Sequence, residues 1–197
     1  MEVEDFLSSH TYETNPGKGM LLISAPMMLD KYFTRSVVLL INSKEEGEPL
    51  GLILNHSIDV NLDQLIENFP IKQDIKVFNG GPVDLTKMFV LHHFADVKDS
   101  IEVLPGLFAG GNSDQLWNHI TSGEDLNGKI RFFFGISGWG EDQLTKELLE
   151  NSWAINPNPN PDMLLIGEGE EYWRREVIGL GENFRSWLSI PIHPSFN

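Results

Sequence analysis

Val37-Val38-Leu39-Leu40-Ile41 and Leu50-Gly51-Leu52-Ile53-Leu54 are two short, continuous apolar runs joined by the polar stretch Asn42 to Pro49. Runs of this length, partly β-branched, have the pattern of strands buried on both faces. The connection between them is too short for a crossover helix, so the spacing predicts an antiparallel hairpin with a long loop. A simple doubly wound parallel fold fits poorly, because several strand-to-strand links are too short for a crossover helix. Gly51 inside the second run predicts a bulge or a close backbone approach.

Further segments extend this pattern on both sides. Met20-Leu21-Leu22-Ile23 reads as a strand entering the sheet centre, and Lys76-Val77-Phe78, Met88-Phe89-Val90-Leu91, Leu107-Phe108-Ala109 and Ile130 to Phe134 add more. Asn61 with Gln64 resembles a capping box, and Leu62, Leu65, Ile66 and Phe69 fall at helical spacing before Pro70, which predicts a short amphipathic helix. Ser113 is the expected cap of a helix bearing Leu116, Trp117 and Ile120 that Gly123 ends. Leu144, Leu148 and Leu149 stripe a third helix closing near Asn151, and Trp173, Val177 and Leu180 a fourth that Gly181 ends. Asn156 to Pro161 alternates Asn and Pro and reads as a surface loop. The expectation is an α+β fold with a mixed, largely antiparallel sheet. Residues 1–16 are expected to form a flexible N-terminal arm, and 17–197 a single domain.

Composition narrows the function. The chain has 197 residues, with 14 Lys plus Arg against 29 Asp plus Glu, a formal net charge of −15. Neither half hides a basic lobe, since residues 1–98 carry 8 basic and 14 acidic groups. Phosphate neutralisation needs clustered Lys and Arg, so direct nucleic-acid binding and anionic membrane surfaces are disfavoured. The lack of Cys removes disulfides, thiolate metal sites and Cys nucleophiles together. The acidic start Met1-Glu2-Val3-Glu4-Asp5 is unlike a signal peptide, and no apolar run approaches the roughly 18 residues of a membrane span, so a cytoplasmic protein is expected.

The templates of known chemistry fail one by one. Gly17-Lys18-Gly19 lacks the Ser or Thr of a phosphate loop, and neither Gly138-Trp139-Gly140 nor Gly167-Glu168-Gly169 completes a dinucleotide fingerprint. Gly135-Ile136-Ser137-Gly138-Trp139 misses the nucleophile elbow, because a Trp stands where the second Gly belongs. His92 and His93 are adjacent on a predicted strand and point to opposite faces, and no pair of His residues has metal-ligand spacing. No metal, cofactor or catalytic residue is expected. What is left is a set of polar residues beside tight turns: Arg35, Asn55, His92 and Gln143, with Gly80, Gly81 and Gly138. If they converge, they can hold an anion or a carbonyl, with His92 as acid or base. The alternative is that Arg35 and Asn55 satisfy loop backbone while the glycines serve close turns.

Four segments taken together resemble the YqgE/AlgH family of bacterial proteins. They are Gly19 to Pro26 continuing through Asp30, Phe33 and Arg35-Ser36-Val37-Val38; Gly47 with Gly51 to Asn55; Gly80-Gly81-Pro82-Val83 with Phe89 to His92; and Gly138-Trp139-Gly140 with Gln143-Leu144, Glu147, Asn151 and Trp153. Trp173 and Gly181 match the closing helix. The resemblance implies a bifurcated sheet folded into a pseudo-barrel with flanking helices. It implies a regulatory label but no catalytic residues. This chain departs from the pattern at Lys87-Met88, in the loop before Gly47, which lacks the usual His, and in the tail Ile190 to Pro194. Two functions follow as expectations. One is a regulatory or interaction module acting without direct DNA contact, through an unknown protein or small-molecule partner. The other is a small-molecule-binding protein or enzyme with a polar site near Arg35, Asn55, His92 and Gln143.

Overall fold

The computed structural model describes residues 16–42, 46–67, 69 and 74–191. The expected arm at 1–16 therefore lies outside the described residues apart from Pro16, as does the tail from 192 onward. After β1 (Leu21–Ser24), the predicted hairpin forms between β2 (Val37–Leu40) and β3 (Leu50–Ile53), and β1 pairs antiparallel with β2. Alternate residues feed different cores. Leu21, Ile23, Val37 and Leu39 face one cluster, whereas Leu22, Val38 and Leu40 face another. These runs are apolar throughout because both of their faces are covered. A Cβ on Gly51 would stand 2.9 Å from the Leu39 carbonyl oxygen, so close backbone approach explains this glycine.

The remaining strands are β4 (Ser57–Asn61), β5 (Lys76–Asn79), β6 (Val83–His92), β7 (Ser100–Leu104), β8 (Leu107–Gly110), β9 (Ile130–Gly138) and β10 (Trp153–Asn156). The main path runs β10-β1-β2-β3-β9-β6-β8-β7. β9 is where the sheet forks: Ser137 and Gly138 pair with β3, while Phe132 to Phe134 pair in parallel with β5, which in turn pairs with β4. β6 lies antiparallel along the other side of β9. Every other pairing is also antiparallel, and the forked sheet curls into a half-barrel flanked by helices.

Those helices are α1 (Ser113–Thr121), α2 (Gln143–Leu149) and α3 (Gly169–Gly179), with a 3-10 segment at Glu182–Ser189. Trp173 and Val177 of α3, with Phe184 and Trp187, close the large core under β1 and β2. Leu116 and Ile120 of α1 close a second under β5 and the start of β9. Leu144 of α2 joins Trp139 and Trp153 over the opposite face of β1 to β3. Glu170 and Glu171 fall in the first turn of α3, where negative charge suits the helix dipole.

Three local expectations are corrected. The predicted helix at 61–70 is a single 3-10 turn, Leu62–Gln64. Its capping bond is real, with Asn61 N–H donating to Gln64 Oε1 at 2.8 Å, but Leu62 N–H bonds the Ile75 carbonyl and Leu65 is 42% exposed. Pairing with β5 replaces the interior a longer helix would need. The cap of α1 is Asn112, whose side chain accepts from Gln115 N–H at 3.1 Å. Leu149 is 80% exposed, because five positions beyond buried Leu144 a residue has rotated off the helix face.

Candidate functional site

The Arg35 turn is built from its neighbours. Asp30 Oδ1 accepts the backbone N–H of Tyr32 at 2.8 Å and of Phe33 at 3.3 Å, and Thr34 Oγ1 donates to the Asp30 carbonyl. The chain leaves this turn through Arg35 at φ 53°, a left-handed conformation that residues with a Cβ seldom adopt. Asn55 holds it there. Its Nδ2 donates to the Arg35 carbonyl at 2.8 Å and to the Gly169 carbonyl at 2.9 Å, while Oδ1 accepts Val37 N–H at 2.9 Å. The Asn55 backbone carbonyl also accepts Gly169 N–H at 2.7 Å. One fully buried amide therefore joins the Arg35 turn, the start of β2 and the first residue of α3.

The Arg35 guanidinium lies 4.0 Å from the Trp173 ring, a cation–π contact, and its Nη2 donates to the Ile190 carbonyl. Arg35 is only 4% exposed, yet Nε and Nη1 find no acceptor among the described residues. Burial lowers its pKa, opposed by the nearby Glu170 carboxylate and reinforced by Arg174.

His92 and Gln143 are engaged elsewhere. His92 is fully buried; its Nε2 lies 2.9 Å from the Gly110 carbonyl, and its Nδ1 accepts Phe94 N–H at 3.2 Å. That pairing requires a neutral ring with the proton on Nε2, and burial pushes its pKa down in agreement. Gln143 Oε1 accepts Gly140 N–H at 3.1 Å, and its Nε2 donates to Glu147. Among the described residues, no hydrogen bond, ion pair or ring contact joins either side chain to Arg35 or Asn55.

The glycines meet steric demands. A Cβ on Gly80 would lie 2.3 Å from the Gly135 carbonyl oxygen, and one on Gly81 2.3 Å from the Ser137 nitrogen. Gly138 is looser, with its nearest atom at 3.4 Å on Leu50. Ser137, the near-miss nucleophile, is fully buried and donates to the Gly80 carbonyl at 3.0 Å, so it seals the same junction.

One buried polar residue escaped the sequence reading. Arg131 of β9 is 5% exposed and lies over Phe78; it donates to the carbonyls of Leu54, Leu165 and Gly167. Burial brings its pKa down to about 10. The available signal was a lone Arg within the apolar run Ile130 to Phe134. Arg131 lines a cleft of about 620 Å³ together with Lys76, Leu126, Leu165 and Glu168. There the Lys76 ammonium bonds Glu168 and holds its carboxyl below the ordinary carboxylate value. Lys76, Glu168 and Arg131 are thus paired within the fold, Asp74 and Asp125 add two further carboxylates to the lining, and none of Arg35, Asn55, His92 or Gln143 lines the cleft. Among the described residues, no group of three or more His, Asp or Glu is placed to hold a metal ion, and no helix is long and apolar enough to cross a membrane.

A forked half-barrel whose interior polar side chains chiefly hold backbone defines a small α+β domain with a recurrent architecture. Residues 21–185 match the family model described as AlgH-like, and the chain belongs to that family. A UPF0301 protein of Bacteroides thetaiotaomicron is 36% identical over 92% of both chains, and the UPF0301 protein CT0663 of Chlorobaculum tepidum is 35% identical over 92% of this chain and 95% of its own. The solution structure of the AlgH protein from Pseudomonas aeruginosa has a TM-score of 0.66 at 28% identity, covering 91% of this chain and 97% of that one. The crystal structure of DIP2367 from Corynebacterium diphtheriae has a TM-score of 0.71 at 20% identity, covering 88% and 92%, and shares the fold.

Proposed function

We propose that this protein is a regulatory or interaction module of the cytoplasm, working as one unit over residues 17–197 and making no direct contact with DNA. The observation that carries this reading is the engagement of its motif side chains within the fold. Asn55, His92, Gln143 and Ser137 already donate and accept there, so none is free to move a proton or attack a substrate without breaking a bond that holds the chain. The net charge of −15 repels polyphosphate, so a transcriptional effect runs through a protein or a small molecule. A mobility-shift assay at low salt should show no specific complex at submicromolar protein, and a sequence-specific shift overturns the reading.

A second reading, a small-molecule-binding protein or enzyme with a site near Arg35, Asn55, His92 and Gln143, draws its support from Arg35 and Asn55 alone. There a strained turn presents a buried cation with unsatisfied donors.

A further inference from the structure

We propose that the Arg35 guanidinium, stacked on Trp173 and positioned by Asn55, is the binding site for a small monocarboxylate. The inference rests on the small-molecule reading of these two residues and supplies its ligand class. It begins from a contrast within one chain. Arg131 and Arg35 are equally shielded from solvent, although Arg131 lies deeper in the protein, but Arg131 meets three carbonyl acceptors, whereas Arg35 meets one, on Ile190, and leaves Nε and Nη1 unpaired among the described residues. A buried cation with idle donors is unfavourable for folding, and an oxyanion removes the penalty by supplying both charge and acceptors.

The backbone adds a second, independent observation. Arg35 stands at φ 53°, and the strain is maintained by the side chain of Asn55 on the Arg35 carbonyl and on Val37 N–H. Asn55 also bonds Gly169, which begins the helix carrying Trp173. The guanidinium and the ring beneath it are thus held in register by one residue, the kind of preorganisation that lowers the ordering cost of binding.

Charge selects the ligand. Glu170 and Arg174, the charged groups that act on Arg35 from α3, approach each other at 3.9 Å and offset one another. One positive charge then remains. A carboxylate neutralises it, whereas a phosphate dianion leaves an excess negative charge beside Glu170. The acceptor Arg35 Nη2 now has, the neutral carbonyl of half-buried Ile190, is weaker than a carboxylate oxygen.

The test is an acetate titration of the full chain at constant ionic strength, followed by NMR at the Arg35 Nε–H and the Trp173 indole N–H. A saturable shift with acetate is expected, at least about tenfold weaker with inorganic phosphate and absent with chloride. Arg35→Lys should abolish the acetate response of the indole signal in a protein that still melts cooperatively. Glu170→Gln alters an exposed side chain and should tighten acetate about threefold, which keeps the test decisive if the Arg35 variant does not fold. Signals indifferent to acetate up to about 100 mM, or equally responsive to chloride, overturn the site. Phosphate binding tighter than acetate overturns the ligand class. Failure in these titrations leaves the interaction reading intact, because that reading falls only on DNA binding.

Discussion

Glu147 and Trp153 meet through a single oxygen: Oε2 accepts the Trp153 indole N–H at 2.8 Å, and the same atom accepts Trp139 Nε1–H at 2.9 Å. The two indoles are edge-on at 78°, with Phe33 packed against both, so one carboxylate from α2 joins the end of β9 to β10. Glu147→Ala should cost about 2–4 kcal/mol, since two indole donors on nearly fully buried rings lose their acceptor. Glu147→Gln, which keeps an acceptor, should cost about 1 kcal/mol. Urea titration followed by Trp fluorescence separates them, and equal midpoints for both variants would refute the shared-acceptor role.

Asn55→Asp preserves volume and the acceptor for Val37 N–H but replaces an amide donor with a carboxylate facing the Arg35 and Gly169 carbonyls. The expected loss is about 3 kcal/mol or more, at least as large as for Asn55→Ala. Hydrogen exchange should localise the loosening to the Arg35 turn and the first turn of α3. Unchanged exchange at Gly169 would show that the amide does not tie the helix down.

Glycine substitutions should fall into two groups. Gly80→Ala drives a Cβ to 2.3 Å from the Gly135 carbonyl in a buried strand crossing, and should cost more than about 4 kcal/mol or abolish folding. Gly123→Ala has open space and bears only the strain of φ 85°, about 1 kcal/mol. Thermal melts of the two variants would give similar losses if torsional preference, rather than close packing, explained both.

Stability should decline with acid through fully buried His92 and half-buried His56. Burial lowers the pKa of His92 and, with the same leading cause, of His56. The folded state then binds fewer protons than the unfolded chain. The stabilisation is fully present above the unfolded value of about 6.5 and is lost as pH falls from there toward the depressed folded values. Between about pH 7.5 and 5.5 the urea midpoint should drop, and by NMR the His92 ring should titrate below the ordinary imidazole range. A midpoint that rises on acidification would contradict the assignment.

Strands whose partners lie next in sequence were legible from residue pattern. Leu21 to Ile23, Val37 to Leu40 and Leu50 to Ile53 are apolar on both faces, and the last two are linked too briefly for anything but antiparallel neighbours. The fork at β9 had no such signature from pattern alone, because it depends on Phe132 to Phe134 meeting Val77 to Asn79 across more than fifty residues; the pairing of β4 and Leu62 with the β5 strand likewise cut the predicted helix at 61–70 to one turn. The candidate site divides in the same way. The residue types at Arg35, Asn55, His92 and Gln143 marked polar positions beside turns, but whether a buried polar group is satisfied depends on atoms brought from elsewhere in the chain.

Local chemistry settled much of this protein: an acidic chain without Cys, strands buried on both faces, and glycines where backbones must touch. Those properties depend on side-chain volume, charge and torsional preference, which each residue carries with it. Tertiary structure alone distinguished Arg131, whose donors meet the carbonyls of Leu54, Leu165 and Gly167, from Arg35, two of whose nitrogens meet none among the described residues. Acceptors are a property of the surroundings, and a buried guanidinium becomes a scaffold or a ligand site according to what the fold places around it.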